Sequence, residues 1–316
     1  MQARAVGLAA GFVADRILGD PATGHPVAAF GRFAQDVERR VWADDVLTGA
    51  AYTSVLVGGS GAVGAVIARA TRHHPVLQVA TTAATTWAVL GGRSLGREAE
   101  TVRDHLASDD LPAARRRLTH LVGRDTEALD ESEISRAVVE SVAENTSDAV
   151  VAPLIAGALA GVPGLVAYRA ANTLDAMVGH RSERYVRFGR VSARLDDLLN
   201  LVPSRLSALL AAALAPVVGG DRKRALEVWR RDAPHHPSPN AGPVEAAFAG
   251  ALDVQLGGVN TYSDRVEDRH TLGDGRPVEP DDITRSIQLA DLVGAAALGV
   301  AVVIAVRPSR RRTAGR

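Results

Sequence analysis

An all-α, polytopic integral membrane protein is the fold class this sequence predicts, and three observations predict it. Thr53 to Ala68 and Val76 to Gly92 run at helix length without one charged residue, and Ile287 to Val306 carries only Asp291. Polar residues collect between the apolar segments instead, above all from Glu140 to Arg205, so polar loops and helices would form a site beside the apolar ones. With 316 residues, 47% of them hydrophobic, the chain can bury a substantial core as a single membrane-embedded domain over 1–316.

The elements follow in order. Val6 to Leu18 is apolar but short and broken by Asp15 and Arg16, and no small-residue cleavage site makes it a signal peptide. Asp20-Pro21 and His25-Pro26 stop any helix, because the residue before proline is pushed out of the α region. Gly58, Gly61, Ala62 and Ala65 would let the 53–68 segment approach a neighbour closely. After the break at Arg72-His73-His74-Pro75 the 76–92 segment completes a transmembrane hairpin, the alternative being a pair of buried helices in a large soluble bundle. Arg93 to Asp130 reads as a charged amphipathic helix, with Arg115, Arg116 and Arg117 on a solvated face.

Ala149 to Ala167 carries Pro153 and Pro163, and Leu206 to Gly219 is short and passes Pro216, so both are weaker spans. The polar loop region 220–286 has turn clusters at 235–240 and 273–275. Its paired His235 and His236 lack a third ligand at a recognised spacing and read as surface loop. Arg307, Arg310, Arg311 and Arg312 follow the last apolar segment, which places the C-terminus in the cytoplasm by the positive-inside rule. If every apolar segment crossed, loops 169–202 and 220–286 would face opposite sides. At least one of 150–167 and 206–219 is therefore expected to be re-entrant or packed within protein. The last span then joins a cytoplasmic loop to a cytoplasmic tail, and these two expectations oppose each other.

Composition excludes several chemistries. Thirty-six basic residues against 36 acidic ones give no field for nucleic acid. Zero cysteines remove disulfides, thiolate metal sites and cysteine nucleophiles, and a single lysine, Lys223, leaves no Walker A loop.

The chemistry concentrates in Glu140 to Arg205. Glu140, Glu144 and Asp148 are four apart and fall along one helical face, with Ser141 and Asn145 on the next row. Like charges so spaced repel, and a hard cation such as Mg²⁺ with a bound phosphate would turn repulsion into attraction; a solvated acidic stripe is the plainer alternative. Asn172 and Asp175, then Arg194, Asp196, Asp197 and Asn200, add acids and amides. The five arginines from Arg181 to Arg194 suit phosphate or carboxylate.

E-S-V-A-E-N-T-x-D, N-T-L-D-x-M-V-G-H, R-Y-x-x-F-G-R and A-R-L-D-D-x-L-N-x-x-P-x-R, in that order, resemble the adenosylcobinamide-phosphate synthase family, CobD/CbiB, of cobalamin biosynthesis. Further matching pieces are Gly19-Asp20-Pro21 with His25-Pro26-Val27, Gly123-Arg124-Asp125-Thr126, His236-Pro237-Ser238-Pro239-Asn240-Ala241-Gly242, and Gly257-Gly258 through Tyr262. The chain departs from the pattern at Pro243-Val244-Glu245, where the family has Trp-Pro-Glu. The resemblance implies ATP-dependent amide ligation of adenosylcobyric acid with (R)-1-aminopropan-2-yl phosphate or a close amino-alcohol phosphate, with Mg²⁺ and ATP required. It implies a multi-pass protein of the cell membrane whose site faces the cytoplasm, with the lipid bilayer and other corrinoid-pathway proteins as partners. Glu140, Glu144, Asn145, Asp148, Asn172, Asp175 and Asp197 are then the candidate catalytic residues, with Glu144, Asp148, Asp175 and Asp197 on the metal side. Asp20, His25, Arg124, Arg181, Arg194, Arg205, His236, Asn240 and Glu245 are the candidates for substrate and phosphate. A small-solute transporter is the alternative, disfavoured because ionisable groups flank the apolar segments rather than line them.

Overall fold

Capping and proline punctuation set the helix boundaries in the computed structural model, which describes residues 2–21, 24–180, 182–261 and 266–306. The described residues are 77% helical and hold one two-stranded antiparallel sheet, so the all-α expectation holds. Helix α1 (Gln2–Leu18) stops at Gly19, whose φ of +64° suits glycine. His25 caps α2 (Pro26–Val41) by accepting from the Val27 N–H, and Asp45 caps α3 (Val46–Thr71) by accepting from Thr48. Then come α4 (Pro75–Val89), α5 (Gly92–Ala107), α6 (Leu111–Leu118) and α7 (Glu131–Thr146), the last opened by a capping box of Asp130 and Glu133. Helices α8 (Ala152–Ala160) and α9 (Val162–Leu174) are separated by Gly161 at φ +69°. The remainder is α10 (Arg190–Leu214), α11 (Arg222–Asp232), α12 (Ala241–Leu252), the hairpin β1 (Leu256–Thr261) and β2 (Val266–Leu272), and α13 (Pro280–Val306).

Small residues let the helices meet. Cβ atoms added at Gly7 and Gly11 would stand 2.5 and 2.4 Å from Thr82 and Thr86, which runs α1 parallel to α4. Gly294 of α13 packs near Phe12, and Arg16 pairs with Asp291, so α13 runs back against α1. The two charges that interrupt the first and last apolar segments thus neutralise each other. Helix α9 returns along α8 past Gly157 and crosses α3 where Gly64 meets Pro163. Arg4 donates to the Ala158 and Leu159 carbonyls, while Tyr168 comes back to within 2.9 Å of the Asp148 carbonyl. The 150–167 segment therefore doubles back as a helical hairpin rather than running straight through. The main core is joined by a smaller one, Ala34, Tyr52, Leu56, Leu174, Val178 and Phe188, beyond the carboxylate end of the bundle.

Among the described residues three helical segments are long and apolar enough to cross a membrane, Val46–Thr71, Arg190–Val218 and Pro280–Val306. The second partner expected in the hairpin is too short. Helix α4 ends at Val89, before Leu90-Gly91-Gly92, and its 15 residues span only about 22 Å against about 30 Å of hydrocarbon. Conversely, Leu206 to Gly219 is the end of a longer helix that starts at Arg190. The amphipathic helix expected over 93–130 is broken into α5 and α6, because Asp109 takes φ +55° and Asp110 caps anew before Pro112. Where a polar loop region was expected over 220–286, α12 is buried along its whole length.

Candidate active site

The site grows from a helical irregularity. Beyond α7, residues Ser147–Val151 form a π turn, and Asp175–Gly179 forms another after α9. Pro153 has no N–H to offer the carbonyl of Ala149, four residues earlier, and that carbonyl accepts from Gly91 N–H at 3.3 Å instead. Each π turn carries a candidate acid at its first turn, Asp148 and Asp175. Glu144 links the row, acting on Asp148 on one side and lining a cavity with Glu140 on the other. Glu140 turns to Arg124 and the hairpin, whereas Asp148 turns toward α9 and α10.

Carboxylates from three stretches then face one another. Burial raises the Asp148 carboxyl well above the usual carboxylate range, and Asp196, Glu144 and Asp175 add to the rise while Arg169 opposes it. Burial, then Asp196, Asp197 and Glu144, push Asp175 up to about 7. Amides fix one member: Asn200 donates to Asp196 at 2.9 Å and Asn172 at 3.3 Å. The Tyr168 hydroxyl lies 2.9 Å from Asn200 Oδ1 and locks that amide's orientation. Asn240 donates to the Asp197 carbonyl at 2.8 Å, and its own oxygen accepts from Ser204 at 3.1 Å and from Arg205 at 2.9 Å. Arg205 is thereby anchored beside the acids while most of it stays exposed. All-oxygen donors of this kind suit a hard divalent cation, and their mutual repulsion is what such an ion would relieve. As placed, no group of three or more His, Asp or Glu side chains among the described residues stands close enough to hold one ion.

A second cluster adjoins the first through Glu144. Arg124 forms a buried ion pair with Glu140 and donates to Asn260 at 2.6 Å, and Glu140 also accepts from the Gly257 N–H at 2.8 Å. Glu140, Glu144, Arg124 and Arg269 line a cavity of about 110 Å³. Behind it Glu245 is 0% exposed, 3.7 Å from His236 Nε2 and 3.8 Å from Arg269. Burial, reinforced by Glu140, pushes Glu245 up to about 8, and burial pushes His236 down, so their contact at neutral pH joins two uncharged groups. Asp20 and His25 form a rim pair, Nε2 to Oδ1 3.5 Å, near Arg169.

Not every candidate joins. Asn145 folds back on Ser141 of its own helix. Arg194 is exposed and has no hydrogen bond or ion pair with another described residue, and Arg181 lies outside the described residues. Sequence reasoning missed Tyr168 and Arg169, which sit just before the N-T-L-D motif in an otherwise apolar run, and Arg269, which has no local signal at all.

With this geometry in hand, comparison with known proteins is decisive about kinship. The family described as CobD/Cbib protein matches residues 8–290. "Cobalamin biosynthesis protein CobD" of Mycobacterium tuberculosis is 50% identical over 310 residues, 97% of this chain and 98% of that one. The protein of the same description from Geobacter metallireducens is 44% identical over 275 residues, 85% and 86% of the two chains. "Cobalamin biosynthesis protein CbiB" of Salmonella arizonae is 43% identical over 305 residues, 94% and 95%. No solved structure matches the chain. The chain belongs to the CobD/CbiB family of cobalamin biosynthesis proteins.

Proposed function

We propose that the protein is an ATP-dependent acid–amine ligase that joins adenosylcobyric acid to (R)-1-aminopropan-2-yl phosphate, or a close amino-alcohol phosphate, giving adenosylcobinamide phosphate. The observation that carries this reading, within the family, is the convergence of Glu144, Asp148, Asp175, Asp196 and Asp197 on one another beside the anchored Arg205. Carboxylates held against mutual repulsion, next to a guanidinium, match a site that meets a metal–polyphosphate. Glu144, Asp148, Asp175 and Asp197, which as placed stand too far apart to share one ion, would have to close on Mg²⁺ to hold it, and Mg²⁺ when bound offsets the charge of the ATP phosphates.

Amide formation needs the corrinoid carboxylate activated. Its oxygen takes the terminal phosphoryl group and ADP leaves; the amine nitrogen then attacks the carbonyl carbon, inorganic phosphate leaves and the nitrogen gives up a proton. Arg205, fixed on one side by Asn240 and Ser204, keeps its remaining N–H groups for an anion, with Arg181 and Arg194 as further donors. Arg124 is occupied by Glu140 and Asn260, so its part is to position the α7 acids. Asp20, His25, His236 and Asn240 border the substrates, and the site faces the cytoplasm of a cell-membrane protein, where ATP is available. Incubating the purified protein with ATP, Mg²⁺, adenosylcobyric acid and the amino-alcohol phosphate should yield the amide by mass spectrometry together with one ADP per amide. ADP without amide, or neither product from folded protein, would end the proposal.

A further inference from the structure

Arg169 is a half-buried cation outside the candidate set. Its Nε has no hydrogen-bond acceptor, and its one hydrogen bond runs from NH1 to Asn172 on its own helix at 3.4 Å. Asp20 and Asp148 act on it electrostatically, yet neither forms an ion pair with it. Drawing a guanidinium even partly out of water without an ion pair is costly, and such residues mark places where an anion completes the site.

Among the described residues the same arginine is the single charged group lining a cavity of about 450 Å³ between α2, α3, α4 and α9. The walls are apolar, with Val27, Phe30, Val63, Val89 and Val166 among them. Outside the cavity the surface of α3 and α4 stays apolar: Val63, Val66, Val76 and Leu77 are 61%, 68%, 80% and 51% exposed. Val63 and Val66 belong to α3, which is long and apolar enough to cross a membrane, and α4 packs beside it, so this surface faces hydrocarbon. The arginine lies toward the carboxylate end of the bundle, and the apolar surface leads away toward Thr71 and Pro75.

We propose that this cavity is a binding site for an anionic phospholipid, its headgroup phosphate on Arg169 and an acyl chain along the α3–α4 surface. A free phosphate would leave the apolar walls uncovered, and a neutral hydrocarbon would leave the guanidinium unpaired. One amphiphile satisfies both. Because Asp148 also acts on Arg169, a headgroup phosphate there would compete with the carboxylate cluster for the guanidinium's charge.

The test is native mass spectrometry of the detergent-purified full chain titrated with phosphatidylglycerol, against dioleoylglycerol and inorganic phosphate as separate probes. The wild type should take up one tightly held phosphatidylglycerol, and Arg169→Gln should weaken it roughly ten- to a hundredfold, the loss expected of a charge-assisted contact. Ala84→Phe, at an exposed position on the cavity wall, should weaken it as well while leaving the arginine in place. It also keeps the test alive if Arg169→Gln does not fold. Equal lipid retention by both variants would overturn the proposal. So would uptake of dioleoylglycerol as tight as phosphatidylglycerol, which would remove the anion. Displacement of the lipid by millimolar inorganic phosphate, with Ala84→Phe indifferent, would show a free-anion site instead.

Discussion

Replacing Glu245 by glutamine should stabilise the protein, and more so as the pH rises. Glu245 is wholly buried, and neither of its carboxylate oxygens has a hydrogen-bond partner. Burial first, and Glu140 next, raise its pKa from 4.5 to about 8. Between those values the folded state keeps a proton that the unfolded chain has released. Stability contributed by the protonated group is therefore full below pH 4.5, falls as the pH rises, and is lost by the time the pH passes 8. At about 1.4 kcal/mol per pH unit the upper bound on that loss is about 5 kcal/mol. Between pH 6 and pH 9 the wild type should lose about 2.5 kcal/mol relative to Glu245→Gln, because the rest of the loss already lies below pH 6. Glutamine keeps the shape, cannot ionise and adds an N–H beside His236. At roughly 2–4 °C per kcal/mol the difference in melting temperature should widen by roughly 5–10 °C over that range. Thermal unfolding in detergent, followed by tryptophan fluorescence at pH 6, 7.5 and 9, reads it directly. A difference that does not change with pH, or one that turns against the glutamine variant at high pH, would refute the reasoning.

Three further outcomes are expected. Asp148→Asn should lower kcat/KM by at least roughly a hundredfold, since it removes a charge from the carboxylate cluster, whereas Asp110→Asn should keep full activity because asparagine caps α6 as well as aspartate does; steady-state ADP release separates the two. Arg205→Lys should cost roughly tenfold or more in kcat/KM through loss of the planar fork held by Asn240, while Arg116→Lys, the surface control, should cost nothing. Arg194→Lys should fall between them, because the structure leaves Arg194 exposed and unanchored. The chain has no cysteine, so single cysteines at Glu183 and at His73 can be labelled in intact cells, and the cysteine at Glu183 should react only with a reagent that enters the cytoplasm.

The legible part of the site was what local spacing encodes. Asp148, Asp175 and Asp197 were readable because acids and amides recur in one stretch whose apolar neighbours had to bury them. The meeting of Asn240 with Asp197 and Arg205 was reachable only through family resemblance, since 43 and 35 residues separate the partners. Arg269 and Asn260 were not readable, because their partners, Glu245 on α12 and Arg124 in the loop between α6 and α7, lie far off in sequence. The π turns were invisible too: periodicity assumes a regular helix, whereas Ser147–Val151 and Asp175–Gly179 are wound as π turns. In the fold, α3 and α13 stood out by hydropathy, but length misled at α4, where Leu90-Gly91-Gly92 ends the helix without interrupting the apolar run.

The bundle's two ends also sharpen the question of orientation. Arg4, Arg69 and Arg72 lie at the end where α8 turns into α9 and where α13 finishes, and the sequence there continues into Arg307, Arg310, Arg311 and Arg312. Asp15, Asp20, Asp148 and Asp291 lie at the opposite end. Counted on the tail alone, a bias of arginine toward the cytoplasm would put the carboxylate cluster outside the cell, but Arg184, Arg187, Arg190 and Arg194 lie at the carboxylate end and count the other way. A reaction that consumes ATP requires the cluster inside. The charge rule is a tendency counted over short loops, and α1 and α4, at 17 and 15 residues, are too short to cross about 30 Å of hydrocarbon unaided, so the end they reach need not emerge as a conventional loop. The demand for ATP admits no such latitude. Labelling of the Glu183 cysteine from outside would therefore leave the family membership standing and remove ATP-dependent ligation as the work of these carboxylates.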